Sequence, residues 1–156
     1  GHDYRARLMT PEEFNAFLSD ISCCLITKDF QLWADRIELP FSIVTSAGPN
    51  VSRTLEALRV QFDLYVQACE NMGLDMVYRT PLSCEHCEDG TVIGTYRTEL
   101  LCHGQRMTEP FTSSALLKNA GGVWRMTAIL NARGHAGWSA QPQPDTKPKC
   151  PDDAHS

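Results

Sequence analysis

In three stretches of the first half, apolar positions recur at helical spacing. Phe14, Phe17, Leu18, Ile21 and Leu25 share one face. Ahead of them, Thr10-Pro11-Glu12-Glu13 supplies an N-cap, a proline for the first helical position and a glutamate placed to close a capping box. A second, shorter helix opens at Lys28-Asp29, with Asp29 as its cap. Phe30, Trp33 and Ile37 lie on one face of it, and Pro40 marks its end. Phe41–Ser46 reads as a β segment, broken by Gly48-Pro49-Asn50. A third helix starts near Ser52. Its stripe is Leu55, Leu58, Phe62, Val66, Cys69 and Met72, and Gly73 is placed to terminate it.

The second half alternates instead. Four strands are expected, at Met76–Cys84, Thr91–Cys102, Phe111–Lys118 and Val123–Arg133. Glu88-Asp89-Gly90, Gly104-Gln105 and Asn119-Ala120-Gly121-Gly122 connect them with hairpin chemistry. Paired residues point to the same face. The Gly104-Gln105 turn pairs Leu100 with Glu109, Thr98 with Phe111, Tyr96 with Ser113 and Gly94 with Ala115. The Asn119–Gly122 loop pairs Leu117 with Trp124, Ala115 with Met126 and Ser113 with Ala128. A three-residue loop at Glu88–Gly90 pairs Cys84 with Gly94, Leu82 with Tyr96 and Thr80 with Thr98. One face then carries Tyr78, Leu82, Tyr96, Phe111, Ala115 and Leu117, continued by Trp124, Met126, Ala128 and Leu130. The other carries Arg97, Glu99, Thr112, Ser114, Arg125, Thr127, Ile129 and Asn131.

The 156 residues fit one domain, and a chain this long buries roughly 70% of its unfolded surface. Composition shifts once. Four of the nine prolines fall after Trp138, where apolar side chains are almost absent. Residues 3–137 are therefore expected to form the domain and 138–156 a Pro-rich tail. Gly1-His2 reads as the remnant of a tag. The net charge is −5, with only 14 Lys and Arg scattered along the chain. Neither a nucleic acid nor an anionic membrane surface is expected as partner. No apolar run approaches the ~18 residues of a membrane span, and no secretory signal pattern stands at the start. Seven cysteines is an odd number, and Cys23-Cys24 are neighbours in an amphipathic segment. Free thiols used as small apolar side chains, in a cytoplasmic protein, are the expectation.

Helix, helix, short β segment, long helix and four long strands follow one another over about residues 8–135. This order resembles the nuclear transport factor 2-like superfamily, which includes ketosteroid isomerase, scytalone dehydratase and SnoaL-like polyketide cyclases. Asp29-Phe30-Gln31-Leu32-Trp33-Ala34-Asp35 resembles the second helix of that family. Tyr96-Arg97-Thr98-Glu99-Leu100-Leu101 resembles its central strand, and Gly121-Gly122-Val123-Trp124-Arg125-Met126 the lead into its last strand. The resemblance implies an α+β fold, a cone-like curved antiparallel sheet packed by three N-terminal helices. It also implies a cavity between sheet and helices, and a homodimer through the outer sheet face.

Candidate chemistry is sparse. Cys84-Glu85-His86-Cys87 suggests a zinc knuckle, but Cys102-His103, the nearest second pair, lies about 26 Å away at ~3.3 Å per residue. No metal is expected. Pro40–Ser46 holds no carboxylate or histidine, so the isomerase base of the family has no counterpart here. No phosphate-cradling loop, dinucleotide fingerprint or G-x-S-x-G elbow occurs, and no cofactor is expected. The candidates that remain belong to the cavity. Tyr96 would orient a substrate oxygen, with Asp35 as base. Tyr78, Thr98, Ser113, Phe17, Trp33 and Phe111 would bind a small apolar molecule. That leaves a cofactor-free dehydratase, isomerase or cyclase, a non-catalytic ligand-binding module, or an accessory subunit of a larger enzyme.

Overall fold

A computed structural model describes residues 8–135 and Trp138; the expected tail from 139 onward, and Gly1-His2, lie outside the described residues. Helix α1 (Pro11–Thr27) starts as its sequence requires. The Thr10 hydroxyl accepts from Glu13 N at 3.1 Å, and the Glu13 carboxylate accepts from Thr10 N at 2.9 Å. All five residues of its apolar stripe are buried. Lys28 turns the chain in a left-handed conformation, and Asp29 caps α2 (Phe30–Asp35). That helix stops short of Ile37, which already belongs to strand β1 (Ile37–Thr45). Pro40 sits inside β1, where pairing with the last strand shifts between Ile37 and Ser42, because proline has no N–H to give a ladder. Gly48-Pro49-Asn50 does not break the chain. It forms edge strand β2 (Gly48–Ser52), paired antiparallel with β1. Helix α3 (Leu55–Met72) is capped by Thr54 and ended by Gly73 at φ 68. Its stripe is buried except Leu55, which stands exposed in the first turn.

Strands β3 (Met76–His86), β4 (Val92–Cys102), β5 (Gln105–Arg106), β6 (Phe111–Ala120) and β7 (Val123–Leu130) complete one curved sheet. Its order is β2-β1-β7-β6-β4-β3, with β5 against β4. All pairs are antiparallel except β1 with β7, which run parallel, so the sheet is mixed at that end. The three helices pack on its concave face, giving the α+β cone. Phe14 sits so close to the sheet that a Cβ on Gly94 would lie 2.6 Å from its Cζ.

The β4–β6 register is the expected one, with Thr98 opposite Phe111, Tyr96 opposite Ser113 and Gly94 opposite Ala115. The other two registers differ, and each difference is a bulge. On β3, Cys84 pairs with Gly94 as expected. A shift between Pro81 and Ser83 then sets Pro81 against Tyr96 and Arg79 against Thr98. The extra residue exchanges the faces of β3. Tyr78 and Leu82 turn outward, at 50% and 53% exposure, while Arg79 turns in. At the β6–β7 turn, Ala120 pairs directly with Val123, so Leu117 meets Met126 instead of Trp124. A second shift at Leu116/Leu117 sets Ala115 against Ile129. Ile129 moves from the outer face to the inner one, and Leu130 moves out to 43% exposure. The outer face therefore loses Ile129 and gains Tyr78, Leu82 and Leu130, which leaves it more apolar than expected.

Two features of the ends also differ. Trp138, expected to begin the tail, is buried in the core at 3% exposure. Cys102 is disulfide-bonded, whereas Cys23, Cys24, Cys69, Cys84 and Cys87 are free. A disulfide is the chemistry of an oxidising compartment, so the cysteines no longer argue for the cytoplasm. No helix among the described residues is long and apolar enough to cross a membrane.

Candidate cavity between sheet and helices

A cavity of about 40 Å³ lies between the helices and the concave sheet. Ile21, Leu25 and Trp33 reach it from α1 and α2, and Tyr65 from α3. The sheet contributes Arg79, Tyr96, Thr98, Phe111 and Ser113, then Met126 and Ile129. Ala132, Arg133 and Trp138 close one side. Trp33 packs against Phe41 and Phe62 at ring separations of 6.1 and 5.3 Å. Trp138 lies on Tyr65 and Phe111 at 5.0 and 6.4 Å. The wall is thus a continuous aromatic and aliphatic surface.

Its polar groups are few and constrained. Ser113 Oγ donates to Asn131 O at 3.2 Å, and Tyr65 Oη donates to Arg133 O at 2.9 Å. Thr98 Oγ1 is fully buried with no partner, as are Arg79 Nε and Trp138 Nε1. Arg79 Nη1 donates to Ser22 Oγ at 3.0 Å and reaches Ile21 O at 3.5 Å. Burial pushes the Tyr96 phenol up, opposed by the Arg79 charge and by its side-chain interaction with Ser113. Burial also raises Tyr65, again against Arg79. Both phenols are neutral donors at physiological pH. Among the described residues, no carboxylate, histidine or thiol lines the cavity.

Five of the eight residues expected at the site meet here: Tyr96, Thr98, Ser113, Trp33 and Phe111. Phe17 is buried in the core beside it without lining it. Asp35 is at the exposed end of α2, accepting from Gln31 Nε2 at 3.1 Å, too far out to serve as a base for the cavity. Tyr78 borders a separate outer groove of about 410 Å³ between α1 and β3. Arg79, Tyr65, Arg133 and Trp138 escape the sequence reading. The first depends on the β3 bulge, the second lies beside the expected stripe of α3, and the last two follow the final strand.

Elsewhere, His86 Nε2 accepts from Met9 N at 3.1 Å, a structural role for one member of the Cys84–Cys87 stretch. Ligand atoms of Asp75, Cys102 and His103 lie within 4.8 Å of one another. The Cys102 sulfur is spent in its disulfide, and Asp75 Oδ2 already accepts from His103 N at 3.0 Å. That cluster offers no thiolate to a metal.

Solved structures share this architecture. Aln2 from a Streptomyces species superposes with a TM-score of 0.61 at 19% identity, over 79% of this chain and 91% of that one. Rv3472 from Mycobacterium tuberculosis, described as of unknown function, gives 0.56 at 15% identity. That match covers 74% of this chain, which spans 66% of the mycobacterial protein's own length, just under two thirds. An NTF-2 like protein of unknown function from Shewanella oneidensis gives 0.54 at 11%, over 73% and 91%. No protein-family model and no curated protein matches the sequence. The fold and the site between sheet and helices define a cavity-type protein. Its fold is that of the nuclear transport factor 2-like proteins, as the residues of α2, β4 and β7 suggested.

Proposed function

We propose that this cone is a non-catalytic binding module for a small, largely apolar molecule bearing one oxygen function. The observation that carries the reading is the cavity wall: hydrocarbon and aromatic groups around a few hydroxyls and the side chains of Arg79 and Arg133, with Thr98 Oγ1 left unpartnered. A buried hydroxyl without a partner costs about 1–3 kcal/mol, and a ligand oxygen placed against it recovers that. Acid–base catalysis asks for a group whose pKa lies near the working pH. The phenols of Tyr65 and Tyr96 are shifted the wrong way for it, and Asp35 stands outside. A dehydratase, isomerase or cyclase therefore has less support than a binder, and no observation favours an accessory subunit.

Acetophenone and benzyl alcohol, titrated into the full chain, test the reading by thermal shift and tryptophan emission. Binding that weakens about fivefold in Thr98→Val is the expected result. Absence of binding by either probe would overturn it. Conversion of a probe to product, lost in Tyr96→Phe, would replace it by the enzyme reading.

A further inference from the structure

The basic side chains of this protein mostly face an acid. Lys28 stands on Glu70, Arg36 on Asp20 and Arg59 on Asp63. Arg97 and Arg106 share Glu99, and Lys118 meets Glu38. Among the described residues Arg53, Arg79, Arg125 and Arg133 make no ion pair with a carboxylate, and of these four Arg79 and Arg133 line the cavity. The Arg133 guanidinium lies over the Phe111 ring, 4.9 Å from its centre. That of Arg79 is 5.8 Å from the centre of Tyr96. The chain as a whole carries a net charge of −5, so this concentration of positive charge is local and opposes the overall balance.

Arg79 is the more telling of the two. Its hydrogen bonds go to a neutral hydroxyl and a neutral carbonyl, and its Nε has no solvent and no acceptor. Its charge is felt across the core: it pulls down Cys24, Cys69, Tyr65 and Tyr96 against the burial that pushes each of them up. Arg79 is partly buried and also borders the outer groove beside α1 and β3. A guanidinium cannot shed its proton, and the buried part of its charge is costly unless an anion meets it. We propose that the occupant of the cavity is a small organic carboxylate with an apolar or aromatic body, its anion held by Arg79. This rests on the binding-module reading and names the class of its ligand.

The chemistry of the wall selects within the class of anions. The planar guanidinium fork matches a carboxylate edge to edge. A phosphate dianion asks for more donors than one fork and a few hydroxyls supply. The aliphatic wall of Ile21, Leu25, Met126 and Ile129 suits a hydrocarbon body. As it stands, the cavity of about 40 Å³ takes water alone, since each water needs ~10–15 Å³. A benzoate-sized body therefore requires the lining side chains to give way, and Trp138, which lines the cavity, reports its arrival.

Benzoate, cyclohexanecarboxylate and their amides, titrated into the full chain at pH 7 by calorimetry and tryptophan emission, provide the test. Each acid is expected to bind at least tenfold more tightly than its own amide and to change the emission. Acetate and inorganic phosphate, which lack an apolar body, are expected at least tenfold weaker than benzoate. Arg79→Gln brings the acids down to the affinity of the amides. Acid and amide binding alike in the unaltered chain would sink the carboxylate assignment and leave the binding module standing. Phosphate binding more tightly than benzoate would overturn the class. Failure of both acids and amides to bind overturns the carboxylate assignment, and acetophenone and benzyl alcohol then decide the binding module separately. An acid preference that survives Arg79→Gln overturns the role of Arg79. Should that variant fail to fold, the comparison of acid with amide in the unaltered chain decides.

Discussion

The guanidinium of Arg79 lies 5.8 Å from the centre of the Tyr96 ring, although the strands pair Arg79 with Thr98 and Tyr96 with Pro81. The contact is diagonal across neighbouring strands, within reach of a long side chain. It exists because one bulge between Pro81 and Ser83 turns the odd-numbered side of β3 into the cone. The same bulge removes Tyr78 from the cavity. A site expected to hold two phenols thus holds Tyr65, Tyr96 and a cation.

Thr98 is the simplest probe of the cavity. Its hydroxyl is wholly buried and unpartnered, and valine has nearly the same shape. Thr98→Val is expected to raise the stability of the protein by about 1 kcal/mol when no ligand is added, because the unmet polar group disappears. Urea denaturation measures it. A loss of stability of that size would mean that the hydroxyl has a partner.

Gly94 marks the closest approach of helix and sheet. A Cβ there would overlap the buried Phe14 ring at 2.6 Å and press Leu117 Cδ1 at 3.2 Å. Gly94→Ala is expected to cost about 1–3 kcal/mol through overpacking. Adding Phe14→Leu, which frees the ring volume, is expected to cost less than the sum of the two single changes in a double-mutant cycle. Strict additivity would argue against the contact.

Alkali should unfold this protein through its buried thiols. Burial pushes Cys24 and Cys69 from 9.0 up to about 12 each. In the folded state they keep their protons to higher pH than in the unfolded chain. Their contribution is complete below about pH 9 and is lost as the pH rises towards about 12. Each thiol adds a slope of about 1.4 kcal/mol per pH unit inside that window. The raised phenols of Tyr65 and Tyr96 act with the same sign from pH 10.0 upward. Chemical denaturation repeated from pH 8 to 11 is expected to show falling stability. Cys24→Ala with Cys69→Ala should flatten the curve, whatever it does to the level at pH 8.

Trp138 is expected to behave as core, not tail. It is 3% exposed and packs edge-to-face on Tyr65 and at a tilt on Phe111. Trp138→Ala should lower stability by about 3 kcal/mol, in the range for large aromatic truncations. A change below about 0.5 kcal/mol, the size of an ordinary surface substitution, read by thermal or urea melts, would show that the indole contributes no packing.

The sequence alone determined what is local. Thr10 with Glu13, Asp29 and Gly73 delimit helices because capping uses neighbouring residues. The apolar stripes of α1 and α3 and the β4–β6 register follow from periodicity and one turn. Tyr96, Thr98 and Ser113 reach the cavity because they lie on the regular part of that pairing. Tertiary structure decided the rest. A bulge adds one residue to one strand and leaves no mark in an apolar–polar pattern, yet it exchanges every side chain beyond it. The shift at Pro81/Ser83 replaced Tyr78 by Arg79, and the shift at Leu116/Leu117 brought Ile129 inside. The parallel pairing of β1 with β7 joins segments at opposite ends of the described chain, a separation no local pattern spans. Trp138 is buried only because Tyr65 and Phe111, from other elements, present a surface for it. The unpaired charge of Arg79 is likewise a property of its surroundings, since a residue's lack of a partner depends on every chain segment that could have supplied one.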